Sequence, residues 1–102
     1  MTGLSVVIPA YREAENLKSI LPRLVRTLKA ACSEWEILIV DTMEPTGDGT
    51  EEVCLANGAT YVNRKGGKLY GDAIRTGFAA ARFERICVMD ADGSHNPDDI
   101  TR

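Results

Sequence analysis

The sequence holds one histidine, no pair of cysteines at close spacing and no surplus of positive charge. Cys32, Cys54 and Cys87 fall at no metal or redox spacing, and His95 stands alone, so a His/Cys metal cluster is excluded. Three scattered cysteines read as reduced thiols packed in a cytoplasmic chain. The net charge of −3 provides no basic face, which argues against nucleic acid as a partner. An anionic ligand would need local help from a metal ion or a few Lys and Arg. No apolar run approaches the length of a membrane span, and the N-terminus runs into LSVVIP without the pattern of a secretory leader. Repeats, low-complexity tracts and linkers are absent.

What is present suits a folded domain. At 44% hydrophobic residues the chain can bury a core, so disorder is not expected. Its 102 residues read as one small domain, 1–102. Continuous apolar runs alternate with helical periodicity. LSVVIP (4–9), WEILIVD (35–41), ATYVN (59–63) and RICVMD (85–90) read as strands. Leu17, Ile20, Leu21, Leu24, Val25 and Leu28 recur at three and four, predicting a helix from Ala14 to Cys32. Pro22 should kink that helix or open a second segment. Asp48 and Glu51 suggest a capping box for TEEVCLAN, which Gly58 can terminate. DAIRTGFAAAR (72–82) is expected as a helix that buries Ala73, Ile74, Gly77, Phe78 and Ala81. Gly77 there implies close approach to the sheet. RKGGKLYG reads as a mobile basic loop, and Asn96-Pro97-Asp98 as the start of a last helical turn. The fold class is α/β, a doubly wound, mostly parallel sheet covered on both faces.

Ligands of such sheets bind beyond the carboxyl ends of the strands. Strand 1 ends in Pro9-Ala10-Tyr11-Arg12-Glu13, strand 2 in Val40-Asp41, and strand 4 in Asp90-Ala91-Asp92. Four carboxylates are thus expected on one edge. Asp90 and Asp92 could share a divalent cation, which would relieve their mutual repulsion. The plainer alternative is that Asp92 and Ser94 build a turn and cap the next helical turn. Asp41 could accept hydrogen bonds from a base or ribose, or be an ordinary turn residue. Tyr11 could stack on a base, or cover the first helix. The loop 64–68 could meet a diphosphate. It lacks the GxxxxGK[ST] pattern, and a solvated basic loop is the alternative.

With these residues in view, the chain resembles the beginning of a family 2 glycosyltransferase of the GT-A fold. The matching stretches are SVVIPAYREAENL, EILIVDTMEPTGDGT, GDAIRTGF and ICVMDADGSHNPDDI, in that order. GDAIRTGF and MDADGSHNP look most like the polyprenyl-phosphate (dolichol-phosphate) mannosyltransferase branch. The resemblance implies a Rossmann-like nucleotide-binding half that takes a nucleotide-sugar donor, GDP-mannose or a UDP-sugar. It implies that Pro9, Tyr11, Glu13, Val40, Asp41, Asp90 and Ala91 contact the nucleotide. It further implies that Asp90, Asp92 and Ser94 hold Mg²⁺ or Mn²⁺ as the DxD motif, with Asp92 the catalytic carboxylate. Transfer would invert the sugar. A lipid phosphate acceptor at the membrane surface would need no general base, because it is already an anion. The family pattern Asp-Asp-x-Ser-x-Asp-Gly-Thr is altered after strand 2. Thr42 replaces its second Asp, and MEPTG lengthens the loop before Asp48.

Competing readings are weaker. A sugar-nucleotide pyrophosphorylase would show glycines after strand 1, and PAYREAEN has none; a phosphoreceiver domain would show an acidic pair there. The alternative within the family is a catalytically incomplete nucleotide-binding fragment without the acceptor half. Few residues come after Pro97, so nothing in the chain is expected to cover the apolar strand 85–90. A homodimer through that edge is therefore expected.

Overall fold

The computed structural model describes residues 3–43, 47–67 and 69–90. Among the described residues seven elements succeed one another: β1 (Gly3–Pro9), α1 (Ala14–Ala31), β2 (Glu34–Asp41), α2 (Thr50–Ala56), β3 (Thr60–Asn63), α3 (Tyr70–Ala80) and β4 (Ile86–Val88). The strands form one parallel sheet in the order β3-β2-β1-β4. Central β1 and β2 are apolar on both faces because both faces are covered. Leu4, Val6, Ile8, Ile37 and Ile39 meet Leu17, Leu21, Leu24 and Leu28 of α1 and Val53 and Cys54 of α2. Val7, Leu38 and Val40 point the other way, toward Ala73 of α3.

Helix α1 runs through Pro22 as a single element, so no second segment opens there. The proline removes one backbone donor, but Leu17, Ile20, Leu21, Leu24 and Leu28 on the same helix are buried and hold it to the sheet. Helix α2 closes as Gly58 allows. Gly58 has φ 74°, Ala59 N–H donates to the Cys54 carbonyl (2.9 Å), and Gly58 N–H to that of Leu55 (3.4 Å). This is a Schellman closure. The start of α2 differs from the expected capping box. Asp48 Oδ1 accepts from the Thr50 N–H and hydroxyl, a turn two residues long rather than a reach to Glu51.

Helix α3 begins two residues earlier than expected and ends two earlier. Asp72 is not the cap residue; its carboxylate reaches back to the N–H of Leu69 (3.0 Å), the N3 half of a capping box. Gly77 does mark a close approach: a Cβ there would lie 3.0 Å from Val7 Cγ2 and would overlap Cγ1. That contact sets the helix's rotation. Ala73 and Gly77 face the sheet, Ile74 is half-buried, and Phe78, expected inside, is 50% exposed. Strand β4 is shorter than expected, since only Ile86, Cys87 and Val88 fall in register with Ser5–Val7. The turn expected at Asn96–Asp98 lies outside the described residues.

Candidate functional site

The carboxyl ends of the four strands share one edge. At β1 the chain turns through Ala10, whose N–H donates to the Val40 carbonyl (2.9 Å). It then exposes Tyr11 to 60% and sets Arg12 at φ 51°, in the left-handed region that non-glycine residues seldom occupy. The Arg12 guanidinium lies 5.9 Å from the Tyr11 ring centre. Backbone held this way recurs at ligand sites. Glu13 precedes α1 and accepts from Asn16 (2.6 Å). Pro9 is half-buried. Val40 lies wholly inside, with its carbonyl taken by Ala10.

Asp41 is the unusual residue of this edge. It ends β2 fully buried, and its side chain lies on the α1/α2 side of the sheet. Oδ2 accepts from the Tyr61 hydroxyl (2.8 Å), which in turn accepts from Asn63 Nδ2 (3.3 Å). Oδ1 is buried and has no hydrogen-bond partner among the described residues. A carboxylate oxygen left so is costly. It borders a pocket lined also by Tyr61 and by Gly47–Glu52 at the start of α2. The lining carries Asp48, Glu51 and Glu52, so it favours a ligand that presents hydrogen-bond donors. The acidic surroundings show in two neighbours. Burial first, and then the bond to Asp41, push the Tyr61 hydroxyl up to about 12. Burial, with Asp41 and Glu51 adding, pushes the Cys54 thiol up to about 12.

The segment after β3, expected as a mobile loop, is tied to the sheet at its start. Arg64 donates from Nε to the Asp41 carbonyl (3.1 Å), from Nη2 to that of Ala10 (3.1 Å) and from Nη1 to that of Leu69 (3.4 Å). Lys65 N–H donates to Thr76 Oγ1 (2.8 Å). Tyr61 and Asn63 were not singled out by the sequence, and Arg64 entered only as the first residue of the loop 64–68. Their signal was position alone: they end β3 on the edge already marked by Asp41.

The structure therefore brings Tyr11, Glu13, Asp41 and Asp90 to the carboxyl ends of their strands. Asp90 comes just after β4 and is half-buried. Among the described residues no group of three acids, Cys or His gathers tightly enough to hold a metal. Ala91, Asp92 and Ser94, the rest of the expected metal and nucleotide set, lie outside the described residues, as do Lys68 and part of the altered loop after Asp41.

Residues 5–102 match the model of glycosyl transferase family 2. The chain belongs to that family. Polyprenol monophosphomannose synthase of Mycolicibacterium smegmatis is 36% identical over 95% of this chain and 38% of its own length. Undecaprenyl-phosphate 4-deoxy-4-formamido-L-arabinose transferase of Pseudomonas fluorescens is 31% identical over 97% of this chain and 30% of its own. The chain thus spans about a third of these relatives. Glucosyl-3-phosphoglycerate synthase of Mycobacterium tuberculosis, solved with Mn²⁺, UDP and glucosyl-3-phosphoglycerate, superposes with a TM-score of 0.72 at 25% identity. It does so over 92% of this chain and 35% of its own. Mannosyl-3-phosphoglycerate synthase of Rubrobacter xylanophilus shares the fold at a TM-score of 0.72 and 24% identity, over 87% of this chain and 30% of its own. The α/β fold with its parallel sheet is that of the GT-A glycosyltransferases.

Proposed function

We propose that this chain forms the nucleotide-sugar side of a glycosyltransferase that moves a sugar, with inversion, from a nucleoside diphosphate to a prenyl phosphate. The observation that carries the reading is Asp41 Oδ1, a buried, unpartnered acceptor on the ligand edge of a parallel sheet. A base offers the N–H donor that this oxygen lacks. Tyr61 holds the carboxylate's other oxygen and so fixes its direction. The exposed ring of Tyr11 gives the base a surface to stack on. Kinship suggests the acceptor class: relatives are named for polyprenol and undecaprenyl phosphate. A phosphate acceptor is an anion, so no side chain must deprotonate it.

A divalent ion fits the donor chemistry of this edge, because Asp90 offers hard carboxylate oxygen at the end of β4. Asp90, Asp92 and Ser94 would hold Mg²⁺ or Mn²⁺, with Asp92 as the residue on which transfer most depends. When bound, such an ion offsets charge on the leaving diphosphate. The lipid phosphates in the relatives' names support work at a membrane surface, and the cytoplasmic side is part of the proposal. Among the described residues no helix is long and apolar enough to cross the membrane. Two copies pair through β4, whose residues are half-buried and bonded to β1 on one side among the described residues.

Calorimetric titration of GDP and UDP tests the reading. One nucleotide should bind roughly tenfold or more tightly with Mn²⁺ than without it. Asp41→Asn should lose roughly the same factor, because its carbonyl can keep Tyr61 while its amide turns a donor toward the base. Equal affinity with and without metal, or an unchanged Asp41→Asn, would contradict it. If the chain binds nucleotide but forms no lipid-linked sugar from GDP-mannose and a polyprenyl phosphate, the incomplete-fragment alternative is preferred.

A further inference from the structure

We infer that Arg64 is the positioning residue of the nucleotide edge, setting Tyr11 and Asp41 at a fixed separation without itself touching the ligand. The inference rests on the nucleotide reading above. Three carbonyls from separate parts of the chain converge on one guanidinium: Ala10 after β1, Asp41 at the end of β2, and Leu69 before α3. The Arg64 N–H also donates to Asp41, at 3.1 Å. The Asp41 carbonyl has the Arg64 N–H as well as the guanidinium, whereas a buried carbonyl left without any donor would cost free energy. A planar guanidinium has donors in fixed directions and can serve three acceptors at once; the ammonium of lysine is a point charge on a flexible stem.

The two carbonyls that matter most sit beside the expected ligand contacts. Ala10 precedes Tyr11 and the left-handed Arg12, and Asp41 carries the unpartnered oxygen. Holding both from one side chain removes freedom that binding would otherwise have to remove. Arg64 is in turn held from its far side. Lys65 N–H is fixed by Thr76, whose hydroxyl donates to the Asp72 carbonyl (2.7 Å). The chain at Gly67 packs so closely on Asp72 that a Cβ there would meet its carboxylate, 3.0 Å from Cγ. Helix α3 therefore backs the strut, and the basic loop is a brace rather than a free arm.

The test measures Kd for GDP or UDP with Mn²⁺, and for the bare nucleoside by chemical-shift titration, in the wild-type chain, Arg64→Lys, Arg64→Met and Glu36→Gln. Glu36 lies at the opposite end of the sheet and serves as a control for lost stability alone. Both Arg64 variants should weaken binding by roughly tenfold or more, equally for nucleotide and nucleoside, while Glu36→Gln keeps wild-type affinity. Wild-type affinity in Arg64→Lys would overturn the inference, since charge would then suffice. A loss confined to the diphosphate would also overturn it, in favour of direct phosphate contact. An equal loss in Glu36→Gln would reduce the effect to general destabilisation. If Arg64→Met does not fold, Arg64→Lys decides. No binding by the wild-type chain would instead sink the nucleotide reading itself.

Discussion

Glu36 carries a charge inside the protein, at the end of the sheet opposite the candidate site. Its Oε2 accepts from the Ser5 hydroxyl and the Arg82 N–H, both at 2.6 Å, and Oε1 accepts from Arg82 Nε at 3.1 Å. Burial raises its pKa, but the Arg82 N–H, the Ser5 hydroxyl and the Arg82 guanidinium together outweigh burial and leave it lowered. The folded state thus binds this proton less readily than the unfolded chain. Its stabilisation is complete above the ordinary carboxylate range and is lost as pH falls through the lowered value. Glu36→Gln should therefore cost about 1–3 kcal/mol near neutral pH, and urea unfolding should show the gap to wild type closing in acid. A gap independent of pH would contradict the account. Asp41 was legible in the sequence because it ends an apolar run, and Tyr11 because it comes just after one. Glu36 was not. Its partners lie 31 and 46 residues away, and within EWEILIVD it looks like one more exposed acid before the strand. Arg64 stood in the loop read as a candidate for a diphosphate, but its hold on the strand ends was hidden for the same reason: its carbonyl partner at Ala10 is 54 residues away.

Elements were more legible than their edges. Six buried apolar residues of α1 repeat the helical period strongly enough that Pro22 does not divide it. The end of α2 was readable because Gly58 supplies the positive φ that the closure needs. Ala73 and Gly77 of α3 face the sheet as expected, but Phe78 was placed wrongly, because the small residues Ala73, Gly77, Ala79 and Ala80 leave the edge of the apolar stripe ambiguous. What settles it is the fit of Gly77 over Val7, a contact between segments 70 residues apart. At β4 the apolar run continues past the paired residues, so composition overstated its length. Its Ile86, Cys87 and Val88 are each half-buried. Among the described residues β4 is at the edge of the sheet, and an apolar edge strand invites pairing with another copy. Light scattering after size-exclusion chromatography should give a dimer mass at micromolar concentration, and Val88→Lys should give a monomer. A wild-type monomer that stays one on further concentration would rule the dimer out, and a Val88→Lys dimer would rule out β4 as the contact.

At the scale of the molecule, the alternation of apolar runs and helical repeats was enough to give a parallel sheet, and in the structure β1 lies inside it between β2 and β4. That placement separates two ends with different work. At one, Glu36, Ser5 and Arg82 form a closed network in which each named carboxylate oxygen has a partner. At the other, Asp41 keeps an oxygen without one among the described residues, beside an exposed aromatic ring and a backbone held in an unusual conformation. A satisfied carboxylate holds a fold together; a buried acceptor without a partner calls for an explanation, and at this edge the proposed one is a donor from the ligand. The central claim is that the nucleotide lies at the second end. Amide chemical-shift mapping during titration of GDP or UDP with Mg²⁺ tests it most directly. The account predicts that the largest shifts fall at Tyr11, Arg12, Asp41, Tyr61 and Arg64, with little change at Trp35, Glu36, Arg82 and Phe83. Shifts centred on the Glu36 end, or no shifts with either nucleotide, would contradict it.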